Sequence, residues 1–207
     1  MPISEPTTLL TDYLLAAAAF WLAARLAGAS SRTGSWAQAL WALAFTLGAV
    51  AACAGGTVHG FRSSLDPFAG ALLWQCALLG GALAGTLLLA GAALHALRGG
   101  VLRLALGVLA VKAGLELVVI SRAGLARDAV WAGAATVVLL LAFGVLRART
   151  DRETLGWLLL ALVLAGTGLA VQAARLTLHP HFNHNDACHV FLTAALWPFY
   201  QAGLRLR

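Results

Sequence analysis

The residues best suited to chemistry lie near the C-terminal end, in the run His179-Pro180-His181-Phe182-Asn183-His184-Asn185-Asp186-Ala187-Cys188-His189. Imidazole, carboxylate and thiol are all ligands for a first-row metal such as zinc. Helical spacing decides which of them can act together. At about 100° per residue, Asp186 and His189 stand roughly 60° apart, and Asn185 and His189 roughly 40°. His184 and Cys188 form an i,i+4 pair. His184 and His189 diverge by about 140° and converge only if His184 precedes the first turn. A further histidine, His59, ends the run Gly55-Gly56-Thr57-Val58-His59-Gly60-Phe61 and could add a ligand from a second element. The same His, Asn and Asp residues also suit a plainer role, capping a helix start and bonding to interfacial water.

Other ionisable groups are few. Glu5 and Asp12 open the first apolar run, Asp66 sits beside Pro67 in a polar connector, and Lys112 and Glu116 stand four apart. The last two are spaced for a neutralised intrahelical pair, or for a proton relay. Cys53 and Cys76 read as small buried apolar residues, and the three cysteines form no CxxC pair or disulfide framework. His179 and His181 flank Pro180 and would line an entrance.

These groups must be positioned by membrane helices. The chain is 61% hydrophobic and 11% charged over 207 residues, which leaves too little polar surface for a water-soluble domain. A helix crosses the hydrocarbon core with roughly 20 apolar residues. Apolar runs at 7–29, 36–61, 69–97, 101–121, 128–147, 154–176 and 184–204 therefore predict a single domain of seven transmembrane helices over residues 1–207. They are read as helices because open strand edges cannot face lipid. The first run lacks the basic flank of a cleavable signal and is expected to stay in the mature chain. Trp36, Trp74, Trp131 and Trp197 fall near span ends, as interfacial aromatics do.

Basic residues are scattered through the loops with no aromatic-interleaved patch, which argues against nucleic acid as a partner despite the net charge of +6. They report topology instead. Nine arginines (25, 32, 98, 103, 147, 149, 152, 205 and 207) gather at one end and four (62, 122, 127 and 175) at the other. The positive-inside rule then predicts an external N-terminus and a cytoplasmic C-terminus. Five of the six histidines fall at the external end, with His95 the exception. Asp66, Gln75, Glu116, Asp128 and Gln172 also fall in the outer half, so a polar site opening outward is expected.

Seven helices with a histidine late in the second and a histidine motif at the seventh resemble the CREST superfamily, which includes alkaline ceramidases and progestin/adiponectin-type receptors. That family carries Ser-x-x-x-His on the second helix, an Asp near the third and His-x-x-x-His on the seventh. Its three histidines hold zinc, which activates water to hydrolyse a lipid amide. His59 and His189 match two of the three. Gly55 stands where the family has Ser, with Thr57 the nearest hydroxyl, and Asn185 stands where it has the first histidine of the last motif. The resemblance implies a zinc-dependent hydrolase acting on a membrane lipid amide or ester. His59, His189 and either His184 or Asp186 would hold the metal, and Asp12, Asp66 or Glu116 would be the general base. The block Phe182–Asp186 with its following histidine is also similar to that of a bacterial membrane-protein family with no assigned activity. A bacterial inner membrane, with the site facing the periplasm, is the expected location. Other classes stay open: a metal- or haem-binding or transport protein, and a receptor or assembly subunit. Oligomeric state is not legible in the sequence.

Overall fold

A computed structural model describes residues 3–123 and 151–207, with positions 136, 139, 140, 142 and 143 between them. Six helices make up this part: α1 (Pro6–Thr33), α2 (Trp36–Phe61), α3 (Pro67–Ala96), α4 (Gly99–Ala123), α5 (Arg152–Ala174) and α6 (His184–Gly203). The described residues hold no strand, only an isolated bridge between His179 and Phe182 in the turn before α6. Helices α1 to α5 are each long and apolar enough to cross a bilayer. Several long apolar helices of this kind mark a membrane protein. Of the expected span 128–147 only those five positions are described, and Asp128 and Trp131 lie outside the described residues.

Helix boundaries follow local chemistry. Pro6 and Pro67 occupy the first turns of α1 and α3, where a missing N–H is harmless. Gly34 stops α1 with φ 68°, a left-handed conformation that L side chains resist. Ser35 then caps α2 by accepting the Gln38 N–H. Asp66 caps α3, taking the N–H groups of Phe68 at 2.9 Å and Ala69 at 3.3 Å. Asp151 accepts from Thr154 N at the start of α5. At α6, Asn183 and Asp186 form a reciprocal capping box.

In this bundle α1 packs on α2 and α6, α2 on α3, α5 on α6, and α4 on α3. The core sits toward the arginine-rich end and includes Leu22, Leu26, Trp41, Phe45, Leu89, Leu158 and Tyr200. Trp41 is 1% exposed, donates its indole N–H to the Leu88 carbonyl at 2.9 Å, and meets Phe199 edge-on. The exterior is apolar, as lipid requires. On α4, Leu104, Val108, Val111 and Leu115 all face outward.

The C-terminal residues are tied into the arginine-rich end. The Ser35 hydroxyl donates to the Leu206 carbonyl, the Gln38 amide donates to Leu204, and Arg205 pairs with Glu153. His95 lies there too, 3.8 Å from Asp151, well apart from the histidines of α2 and α6.

Close approach of α1 and α2 depends on Gly56. A Cβ at that position would lie 2.7 Å from the Asp12 Cβ and 3.0 Å from the Tyr13 ring. The Asp12 Cβ is fixed to the backbone and yields only if α1 moves. Gly56→Ala is therefore expected to destabilise the bundle by about 1–3 kcal/mol, the usual cost of overpacking. The check is a lowered unfolding midpoint in detergent. An unchanged midpoint would show that the two helices can separate freely.

Candidate functional site

Helices α1 and α6 run in parallel. Thr8 meets Asp186 at one end, and Leu26 packs against Gly203 toward the other. α2 runs the opposite way and brings His59 to the same end as Glu5. Three helix termini thus gather polar residues that lie far apart in sequence.

The centre is His189. Its Nε2 lies 3.3 Å from Asp12 Oδ1, and its Nδ1 lies 3.3 Å from the Thr11 hydroxyl. Asp12 is 3% exposed, and its second oxygen, Oδ2, is buried without a hydrogen-bond partner. That oxygen faces α2, about 3.8 Å from where a Cβ on Gly55 would be. Glycine at position 55 therefore leaves room beside the carboxylate. A buried carboxylate with one unpaired oxygen is a strong acceptor for any donor that reaches it.

His59 forms a second pair. Its Nδ1 lies 3.2 Å from Glu5 Oε2, and its ring stands edge-on to Trp74. The pairs are not isolated from one another. The Thr8 hydroxyl, 3.3 Å from Glu5 Oε2 and 2.7 Å from Asp186 Oδ1, lies between the two groups. Trp74, expected only as an interfacial aromatic, therefore also orients a site histidine.

Asp186 is spent on structure. Oδ1 accepts from the Thr8 hydroxyl at 2.7 Å, and Oδ2 accepts from Asn183 N at 2.7 Å. His184 is the first residue of α6, with Nδ1 buried and unpartnered. Beside it, Asn185 accepts from the Gln172 amide of α5 at 2.8 Å. Cys188 is buried where its backbone meets Gly168. The rings of His179 and His181 lie 5.5 Å apart on the exposed turn.

Of the three acids expected as a base, only Asp12 reaches His189. Asp66 is the N-cap of α3 and gives its carboxylate to that helix's own N–H groups. Glu116 is bound to Lys112 and Thr86 between α4 and α3. Among the described residues α4 packs on α3 and does not touch α1.

The expected zinc ligands come together only in part. His189 Nε2 and Asp12 Oδ1 are separated as two corners of a tetrahedral site would be, about 3.3 Å for metal–ligand bonds of roughly 2.0 Å. His59 faces Glu5 and Asp186 faces Thr8, so neither supplies the third corner. Among the described residues no three His, Cys, Asp or Glu side chains are grouped to hold a metal. The residues as arranged do not fit a three-ligand zinc centre.

Thr8 and Thr11 were not legible as site residues. The available signal was their register: Thr8 and Asp12 stand one turn apart on the first helix, with Thr11 beside them. Fold and site together define a helical membrane protein with a buried His–carboxylate cluster at one end of its bundle. The chain belongs to DUF6962, a family of unknown function, whose family model matches residues 7–207. No curated protein and no solved structure matches it.

Proposed function

We propose that this protein is a membrane hydrolase that cleaves a lipid amide or ester at the histidine-bearing end of the bundle, using the Asp12–His189 pair as general base. One observation carries the reading: His189 is held between Asp12 and Thr11, with both ring nitrogens in hydrogen-bond range of a partner. The proposal includes seven spans, an external N-terminus and a site open to the periplasmic side of a bacterial inner membrane. The parallel course of α1 and α6 supports an odd number of crossings.

The chemistry follows from proton positions. With Asp12 ionised, His189 carries its proton on Nε2 and donates it to Oδ1, which leaves a lone pair on Nδ1. The Thr11 hydroxyl at that nitrogen passes it a proton and takes one from water as the water attacks the substrate carbonyl. The imidazolium is stabilised by the Asp12 carboxylate, then returns the proton to the departing amine or alcohol.

The test is turnover of fluorogenic N-acyl and ester lipids by the purified protein in nanodiscs, with bound metal measured in parallel. Steady hydrolysis insensitive to chelators is expected. No turnover of either class at any pH between about 5 and 9, the working range of histidine bases, overturns the reading. Loss of activity to a chelator, restored by zinc, replaces the acid–base mechanism with a metal-assisted one.

A second reading rests on a different observation, the half-buried Lys112–Glu116 pair packed against Thr86 between two apolar helices. Ionisable groups at that depth line ion paths in many membrane proteins. Proton-coupled transport would appear as acidification of proteoliposomes that Glu116→Gln removes.

A further inference from the structure

The grip on His189 depends on contacts one helical turn away. Thr8 and Asp186 are both 1% exposed, so the bond between them lies in the interior of the bundle. At 2.7 Å it is a short hydroxyl-to-carboxylate bond, the charge-assisted kind. The Thr8 hydroxyl also lies 3.3 Å from Glu5 Oε2, but the closer acceptor is Asp186. The other oxygen of Asp186 accepts the Asn183 N–H within the capping box, which fixes the carboxylate's orientation relative to α6.

Register then links this bond to the reactive pair. Thr8 and Asp12 are four apart on α1, and Asp186 and His189 are three apart on α6. On parallel helices both steps cover about one turn, roughly 5.4 Å of rise. The Thr8–Asp186 bond and the His189–Asp12 contact are therefore successive rungs between the same two helices.

We infer that Thr8 and Asp186 are positioning residues, which hold α6 at the height and rotation that set His189 Nε2 against Asp12. The inference rests on the hydrolase reading for its consequence in turnover, but its geometry does not. A shift of about 1 Å is enough to lose an order of magnitude or more in a positioned reaction. The contact at 3.3 Å has no slack for it. Asp186 is thus assigned to positioning, in place of the metal-ligand role expected for it.

The test compares Thr8→Val, which keeps the shape and removes the hydroxyl, with Thr8→Ser, which keeps the hydroxyl. T8V is expected to lower kcat about 10- to 100-fold with KM nearly unchanged, on the scale of lost positioning. T8S should stay near the wild-type rate. Circular dichroism and gel-filtration behaviour are expected to match for all three proteins. Site-specific modification of His189 by diethyl pyrocarbonate, read by mass spectrometry, gives a measure independent of activity. T8V should make His189 more reactive, and T8S should not. Equal modification in wild type and T8V overturns the inference, as does equal impairment of T8V and T8S. A wild-type protein with no turnover, but with T8V-dependent exposure of His189, fails the hydrolase reading and keeps the positioning role.

Discussion

His189→Ala is expected to reduce lipid hydrolysis by about 10²–10⁴-fold, the range that a positioned general base contributes. The substitution removes the imidazole that meets both Thr11 and Asp12. It also leaves the Asp12 carboxylate buried without its partner. Some loss of stability should therefore accompany the loss of rate, and a thermal scan must be run beside the assay. Asp12→Asn separates the two effects. It keeps the size of the side chain and removes the charge that stabilises the imidazolium, so kcat should fall while the fold persists. His59→Ala is the informative control. Its ring faces Glu5 and Trp74, one pair removed from the reacting nitrogen. A milder loss, within about tenfold, is expected from that change in surroundings. Equal losses from His59→Ala and His189→Ala would falsify the assignment of the base to His189 and favour a shared metal.

Lys112→Met should have the largest effect on stability. Lys112 Nζ donates to Glu116 at 2.7 Å and to Thr86 at 2.9 Å, and the two charged side chains are only 17% and 13% exposed. Removing the ammonium leaves a carboxylate between apolar helices with no countercharge. Breaking a fully buried pair in this way costs about 3–5 kcal/mol, so this half-buried pair should lose somewhat less. Replacing both partners removes the stranded charge, so Lys112→Met combined with Glu116→Leu should recover most of the loss. Unfolding in mixed micelles measures both variants. A single variant as stable as wild type would mean that the carboxylate takes up a proton at little cost or finds another partner. Retention of hydrolysis by the stabilised double variant is also expected, since α4 makes no contact with α1 among the described residues.

Much of the architecture follows from residue types alone. Apolar runs interrupted by Gly34, Pro67 and Asp151 end where the chemistry of caps and turns ends them, so the described helices fall within a few residues of the expected spans. In lipid this reading is unusually direct. A backbone with no water to bond must bond to itself, and the helix is the local way to do so. The gathering of His59, Asp12, Asp186 and His189 at one end was legible as well, because alternating spans sort residues by side. His95 was correctly set apart by the same logic.

Which atoms face which partners was not legible. Spacing on one helix presented Asp186 as a possible ligand, yet its oxygens are taken by Thr8, on a helix 178 residues away in sequence, and by its own capping box. Asp66 and Glu116 were as plausible a base as Asp12, because sequence records depth in the membrane but not rotation about a helix axis. That rotation is set by packing between helices, such as the close approach at Gly56 and the Thr8–Asp186 bond. By itself, then, the sequence determined a polarised bundle of membrane helices with five of its six histidines and several acids toward one end. Only the tertiary structure decided that Asp12 and Thr11 hold His189, since hydrogen bonds between helices depend on distances of a few tenths of an ångström that no local periodicity encodes.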